Sequence, residues 1–138
     1  MMAKDGEGAT KLIICEVSGA PDAEAARGIA RSVVGYPLCK TAMFGAEANW
    51  GRILCAIGYA PGDFSVDSTC VTIASPAGSV HVCEAGSGIA FSEEEAKRVL
   101  LAQEITIRLG LGQGEAAATA WGCGLTYGYV QIHGDYRP

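Results

Sequence analysis

Between residues 105 and 111 the chain alternates: Ile105, Ile107, Leu109 and Leu111 fall on one side, Thr106, Arg108 and Gly110 on the other. A period of two places all four apolar side chains on one face of a β-strand. Such a face must be buried against a second layer, which already narrows the fold to a few architectures. A helical period occurs as well. Ala26, Ile29, Ala30, Val33 and Val34 recur at three- and four-residue spacing, which predicts an amphipathic helix over 22–34. The two periods together ask for helices laid on a sheet.

The remaining segments fill in that plan. Residues 11–18 (Lys-Leu-Ile-Ile-Cys-Glu-Val-Ser) are rich in apolar and β-branched residues and predict a strand, ended by Gly19-Ala20-Pro21-Asp22. Gly35-Tyr36-Pro37 interrupts the helix, and Leu38 to Phe44 fits either a resumed helix or a strand. Asn49 is an N-cap for a helix whose apolar face carries Ile53, Leu54 and Ile57, closed by Gly58 and Pro61-Gly62. Strands are expected over 69–74 and 79–83, with Ser75-Pro76-Ala77-Gly78 turning between them. Ser92-Glu93-Glu94-Glu95 has the form of a capping box and predicts a helix over 93–102. Gly112-Gln113-Gly114 turns the chain into a strand over roughly 115–123, and 125–132 fits strand or helix. The order β-α-α-β-β-α-β-β predicts an α+β fold, helices packed on a mainly antiparallel sheet, with residues 1–138 forming one domain.

Composition excludes several function classes. The 138 residues suffice for a real core, and 49% hydrophobic against 18% charged lies outside the regime of disordered chains. The net charge of −5, with ten scattered Lys and Arg, provides no basic stripe for nucleic acid or an anionic membrane. No apolar run approaches the ~20 residues that span a bilayer, and Met1-Met2-Ala3-Lys4-Asp5-Gly6 lacks the apolar segment of a secretory signal, so a cytoplasmic location is expected. The six cysteines (15, 39, 55, 70, 83 and 123) form no Cys-x-x-Cys pair, and several lie in apolar runs such as Ile53-Leu54-Cys55-Ala56. Buried free thiols are expected, without disulfides or zinc.

Three segments carry a resemblance. They are Asp5-Gly6-Glu7-Gly8-Ala9-Thr10-Lys11; Lys40-Thr41-Ala42-Met43-Phe44-Gly45 with Asn49-Trp50-Gly51-Arg52-Ile53-Leu54; and Ala118-Thr119-Ala120-Trp121-Gly122-Cys123-Gly124-Leu125-Thr126-Tyr127-Gly128-Tyr129-Val130 with the close Asp135-Tyr136-Arg137. In order and spacing they resemble the C-terminal part of the β-chain in the ornithine acetyltransferase (glutamate N-acetyltransferase) family. That resemblance implies an enzyme of arginine biosynthesis that moves an acetyl group from N-acetylornithine to glutamate through an acyl-enzyme. The nucleophile would be a threonine exposed by self-cleavage and activated by its own α-amine, with oxyanion donors from a preceding α-chain. Those parts lie upstream of the region matched here, so no catalytic residue is assigned within this chain and it is expected to be inactive alone. Thr10 and Thr41 both fall downstream of the family cleavage site.

The resemblance assigns substrate contact to Glu7, a carboxylate on a Gly-flanked loop that can meet an ammonium group. At the C-terminus the family places Asn and a final Ser or Thr on the substrate. Here His133 stands at the Asn position and Pro138 at the Ser or Thr position, while Gly124 and Gly128 replace acidic residues often found there. An asparagine amide and a hydroxyl each offer donor and acceptor together, imidazole has another geometry, and proline offers no polar side chain.

Other motifs have plain structural readings. His81 lies in a predicted strand without a second ligand near it, and Gly110-x-Gly112-x-Gly114 leads into a strand, where a phosphate loop needs a helix N-terminus. Thr10-Lys11 reverses the order of a P-loop. Asn49-Trp50-Gly51-Arg52 suits a cap, an apolar anchor, a close approach and an ion pair, with a place for Arg52 near substrate as the functional reading. No cofactor is expected. The partners are N-acetylornithine or glutamate once a complementary chain is present, together with self-association or an α-chain-like partner. The competing expectation is a diverged, non-catalytic remnant acting as an oligomerising or ligand-binding module.

Overall fold

The first strand, β1 (Leu12–Ala20), is built from Leu-Ile-Ile-Cys-Glu-Val, and it lies inside the sheet. A computed structural model describes residues 11–123 and the backbone of 130–133. After β1 come α1 (Ala23–Gly35), α2 (Pro37–Phe44) and α3 (Trp50–Gly58). Then follow β2 (Cys70–Ser75), β3 (Gly78–Glu84), the two-residue β4 (Ser87–Gly88), α4 (Glu93–Leu100), β5 (Glu104–Gly110), β6 (Ala116–Cys123) and β7 (Val130–His133). The strand order is β4-β3-β2-β5-β1-β6-β7. Among the described residues only β1 against β5 is parallel, so the α+β expectation of a mainly antiparallel sheet holds.

Alternation decides which face is covered. Ile13 pairs with Ile105 and Gly122, Cys15 with Ile107 and Ala120, and Val17 with Leu109 and Ala118. All of these are buried and join the helices in one core, together with Val71, Ile73, Val80 and Val82. Full burial of each Ile or Val contributes about 1.5–3 kcal/mol relative to exposure. The opposite parity, with Glu16, Thr106, Arg108, Thr119 and His81, is half-buried or exposed.

Helix boundaries follow local chemistry. Asp22 caps α1 by accepting from the Ala25 amide at 2.8 Å, and Ala25, Ala26, Ile29, Ala30, Val33 and Val34 face the core. Pro37 ends α1, because the residue before a proline is driven out of helical geometry, and Tyr36 is extended at φ −75° and ψ 119°. The same proline suits the first position of a new helix, which settles the open choice for 38–44 as helix. Asn49 caps α3 through the Arg52 amide at 3.2 Å. Ser92 caps α4 through the Glu95 amide at 3.1 Å, but the Glu95 carboxylate goes to Arg98 at 3.3 Å, leaving half of the expected capping box.

The expectation of buried thiols holds for Cys15, Cys39 and Cys83 and fails elsewhere. Cys70 and Cys123 are half-buried, and Cys55 is exposed. Cys55 lies in an apolar run, but that run is helical: Ile53, Ala56 and Ile57 turn inward, Leu54 is half-buried, and Cys55 turns out.

The connection from β5 to β6 is not a hairpin, since β1 lies between those two strands. Residues 111–115 therefore cross over the end of β1. Leu111 donates its amide to the Ser18 carbonyl at 3.0 Å and Gln113 to the Gly19 carbonyl at 2.7 Å. A Cβ at Gly114 would stand 2.4 Å from the Ala20 oxygen, and one at Gly19 2.7 Å from the Gly112 nitrogen. The crossing has room for backbone and little else. The Gln113 side chain extends the clamp to the 61–69 loop, donating to the Ser65 carbonyl at 2.5 Å and accepting from the Ser65 amide at 3.1 Å.

Candidate functional site

Lys11, the last residue of the Asp-Gly-Glu-Gly-Ala-Thr-Lys segment, is 7% exposed, and its ammonium donates to the Leu100 carbonyl at the end of α4. Burial lowers its pKa from the ordinary 10.5. One residue on, the Leu12 amide donates to the Gln103 carbonyl at 2.8 Å. The chain that leads back to Glu7 thus leaves the sheet from a doubly held point. Glu7 itself, with Thr10 and Pro138, lies outside the described residues.

His133 is placed by backbone pairing alone. It ends β7, opposite Thr119, which in turn pairs with Glu16. Lys11 immediately precedes Leu12, four residues before Glu16, so the two family-implied regions leave the sheet roughly 13 Å or more apart along the strand direction.

The central signature surrounds a concavity of about 630 Å³, lined by the Ala46–Asn49 loop, Trp50, Phe91, Glu93 and Lys97. Trp50 forms its wall by lying against Gly88, where a Cβ would stand 2.2 Å from the indole Cζ2. Ala46 adopts φ 56° to turn the loop. Arg52 donates to the Leu38 carbonyl at 3.2 Å, a bond between α3 and α2, and pairs with no carboxylate among the described residues. Gly51 makes no close approach either: an added Cβ would meet only Asn49 Oδ1, at 3.5 Å. The aromatic wall and the Lys97 ammonium were not legible as a group, because Phe91 and Lys97 lie about forty residues beyond the signature.

Nucleophile chemistry is weak among the described residues. Thr41 is exposed on α2 and donates back to the Pro37 carbonyl at 2.9 Å. His81 is a surface residue, with Nδ1 2.8 Å from Thr72 Oγ1 and Nε2 3.8 Å from Glu84. A hydroxyl, an imidazole and a carboxylate therefore meet there, but on the exposed rim of β2 and β3, with the carboxylate beyond hydrogen-bond range. Burial pushes the Cys39 thiol up to about 12, and raises Cys15 and Cys83 as well, which keeps all three as inert thiols at neutral pH. Gly110 ends β5, and Gly112 and Gly114 lie in the 111–115 crossing that leads into β6. Among the described residues no helix is long and apolar enough to cross a membrane.

The family model described as "ArgJ family" matches residues 1–138. The chain belongs to the ArgJ family. It is 51% identical over 137 residues to the arginine biosynthesis bifunctional protein ArgJ of Caldanaerobacter subterraneus, covering 99% of this chain and 34% of that protein. It is 45% identical over 137 residues to the arginine biosynthesis bifunctional protein ArgJ 1 of Clostridium acetobutylicum, with the same coverage. The crystal structure of the ArgJ protein from Bacillus halodurans superposes with a TM-score of 0.76 at 41% identity, covering 91% of this chain and 58% of that one. The chain spans about a third of the length of these curated ArgJ relatives. Within the three recognised segments, Lys11 immediately precedes β1, residues 40–44 and 50–54 lie in α2 and α3 beside the concavity, and residues 118–123 and 130 lie in β6 and β7.

Proposed function

We propose that this chain contributes the Glu7-bearing part of a composite site that transfers an acetyl group from N-acetylornithine to glutamate in arginine biosynthesis, in the cytoplasm. The observation that carries this reading is the family match across all of residues 1–138, which includes the Asp-Gly-Glu-Gly segment intact. The attacking hydroxyl comes from sequence outside these residues. It adds to the acetyl carbonyl, the carbon–nitrogen bond breaks, and ornithine leaves with the proton that the base had taken. The glutamate amine then attacks the acyl ester, releasing N-acetylglutamate and restoring the hydroxyl. Glu7 supplies the carboxylate that meets an ammonium group of the amino-acid substrate. His133 and Pro138 stand where the family has Asn and Ser or Thr, so these two positions meet the substrate with different donors and acceptors here.

The test is incubation with N-acetylornithine and glutamate, with the chain alone and after addition of the remaining portion of an ArgJ relative. No transfer alone and transfer on mixing is the expected result. Turnover by the chain alone would remove the need for a second part. Failure of every mixture, with both parts folded, would favour the non-catalytic module, a reading already suggested by His133 and Pro138.

A further inference from the structure

The concavity beside Trp50 takes no part in the proposed transfer, and its walls differ in kind. Two aromatic side chains, Trp50 and Phe91, line it while packing partly against the core. Trp50 is held by its contact with Gly88, and Phe91 immediately precedes Ser92, the cap of α4. Three charged residues border the same space: Glu93 and Lys97 on α4, and Glu47 on the loop between α2 and α3. That loop is fixed where Ala46 turns it at φ 56° and the Glu47 amide donates to the Ala42 carbonyl at 2.9 Å.

Charge narrows what fits there. Glu93 and Lys97 stand one turn apart, in the order that favours an ion pair along a helix. Among the described residues, however, the ion pairs are Arg98 with Glu95, Arg108 with Glu16 and the His81–Glu84 contact, and Glu47, Glu93 and Lys97 enter none of them. Two carboxylates against one ammonium leave an excess of negative charge. The complement is a molecule with one anionic and two cationic groups, on a body that aromatic rings accept; a cation also gains from the face of such a ring. The volume of about 630 Å³ lies within the range of small-molecule sites.

We infer that this concavity binds an α-amino acid whose side chain carries a second cation. Lys97 takes the α-carboxylate, and Glu93, about 6 Å away along the axis of α4, takes the α-ammonium. Glu47, on the loop, takes the side-chain cation, while the carbon chain between lies along Trp50 and Phe91. Each polar contact is charge-assisted. The inference stands on this geometry and does not rest on the acetyltransferase reading.

L-lysine is the probe, compared with L-norleucine, which lacks the side-chain cation, and cadaverine, which lacks the carboxylate. Nuclear magnetic resonance of the isotope-labelled chain follows the Trp50 indole N–H and the amides of residues 45–50 and 91–97. Lysine shifts these signals with a Kd on the order of 1 mM and leaves those of β5 in place. Lys97→Met, Glu93→Gln and Glu47→Gln each weaken binding by about two- to five-fold, the worth of one solvent-exposed charge pair. All three side chains are exposed, so the variants keep the fold. Norleucine and cadaverine bind more weakly than lysine by at least a similar factor, and Glu94→Gln, on α4 but outside the concavity, changes nothing. The inference falls if lysine at about ten times that concentration shifts none of these signals, if norleucine binds as well as lysine, or if the three variants leave the affinity unchanged. It falls also if Glu7→Gln removes the shifts, which would put the ligand at the Asp-Gly-Glu-Gly segment. Absence of transfer in every mixture would count against the acetyltransferase reading alone.

Discussion

Three glycines at alternate positions, Gly110, Gly112 and Gly114, are equivalent in the sequence and unequal in the structure, so alanine at each gives a graded experiment. At Gly110 an added Cβ meets only Ser18 Oγ, at 3.9 Å, and alanine suits the end of a strand better than glycine. Gly110→Ala is expected to be neutral or to stabilise by up to about 1 kcal/mol. Gly112 has open space but φ +68°, so alanine there costs about 1–2 kcal/mol for the left-handed backbone. Gly114 would bring its Cβ 2.4 Å from the Ala20 oxygen and 2.9 Å from the Pro21 Cα, both backbone atoms that cannot turn aside. Relief requires the crossing to lift from β1, straining the Gln113 to Gly19 bond, at about 2–4 kcal/mol. Urea unfolding followed by circular dichroism reads the series, with unchanged m-values securing the comparison. For a chain of this size 1 kcal/mol corresponds to about 3–6 °C in Tm. Equal losses at all three positions, or Gly110→Ala as the worst, would refute the crossing as the reason for the glycines.

Other expectations follow from single contacts. Gly88→Ala, which drives a methyl into the Trp50 indole, should destabilise by about 1–3 kcal/mol and change Trp50 fluorescence; an unchanged spectrum and midpoint would count against that packing. Ser92→Ala should cost about 1 kcal/mol by removing the α4 cap, measured by thermal melting, with Ser92→Asp restoring it. Cys39 rises from the ordinary 9.0 to about 12, so between those values the unfolded chain has lost a proton that the folded chain keeps, and stability falls by about 1.4 kcal/mol per pH unit. Cys39→Ala should make the fall of stability above pH 9 shallower by about that amount; an unchanged slope would place the titration elsewhere.

Local chemistry in this chain was legible from sequence, and long-range pairing was not. The period of two at Ile105–Leu109 and the helical spacing at Ala26–Val34 identified their faces correctly, because burial of one face is all that such periods encode. Asn49 and Ser92 announced their helices for the same reason: a cap acts within three residues. The insertion of β1 between β5 and β6 depends on partners about ninety residues away, and no local pattern specifies it. Cys55 was misjudged because an apolar run was read without its helical period. The concavity beside Trp50 joins residues from separate elements, so only its signature half was visible. Of the family-implied substrate residues, Glu7 and Pro138 fall outside the described residues, and His133 is fixed only by its backbone register.

The central place of β1 has a consequence for synthesis. Its neighbours, β5 and β6, begin at Glu104 and Ala116, so a ribosome adding about 5–20 residues per second completes them roughly 5–20 s after Leu-Ile-Ile-Cys-Glu-Val has been made. Throughout that interval an apolar strand has both edges unpaired. Whatever shields the nascent chain must do so at β1, and residues 111–115 cross that strand only after it has waited through the whole interval.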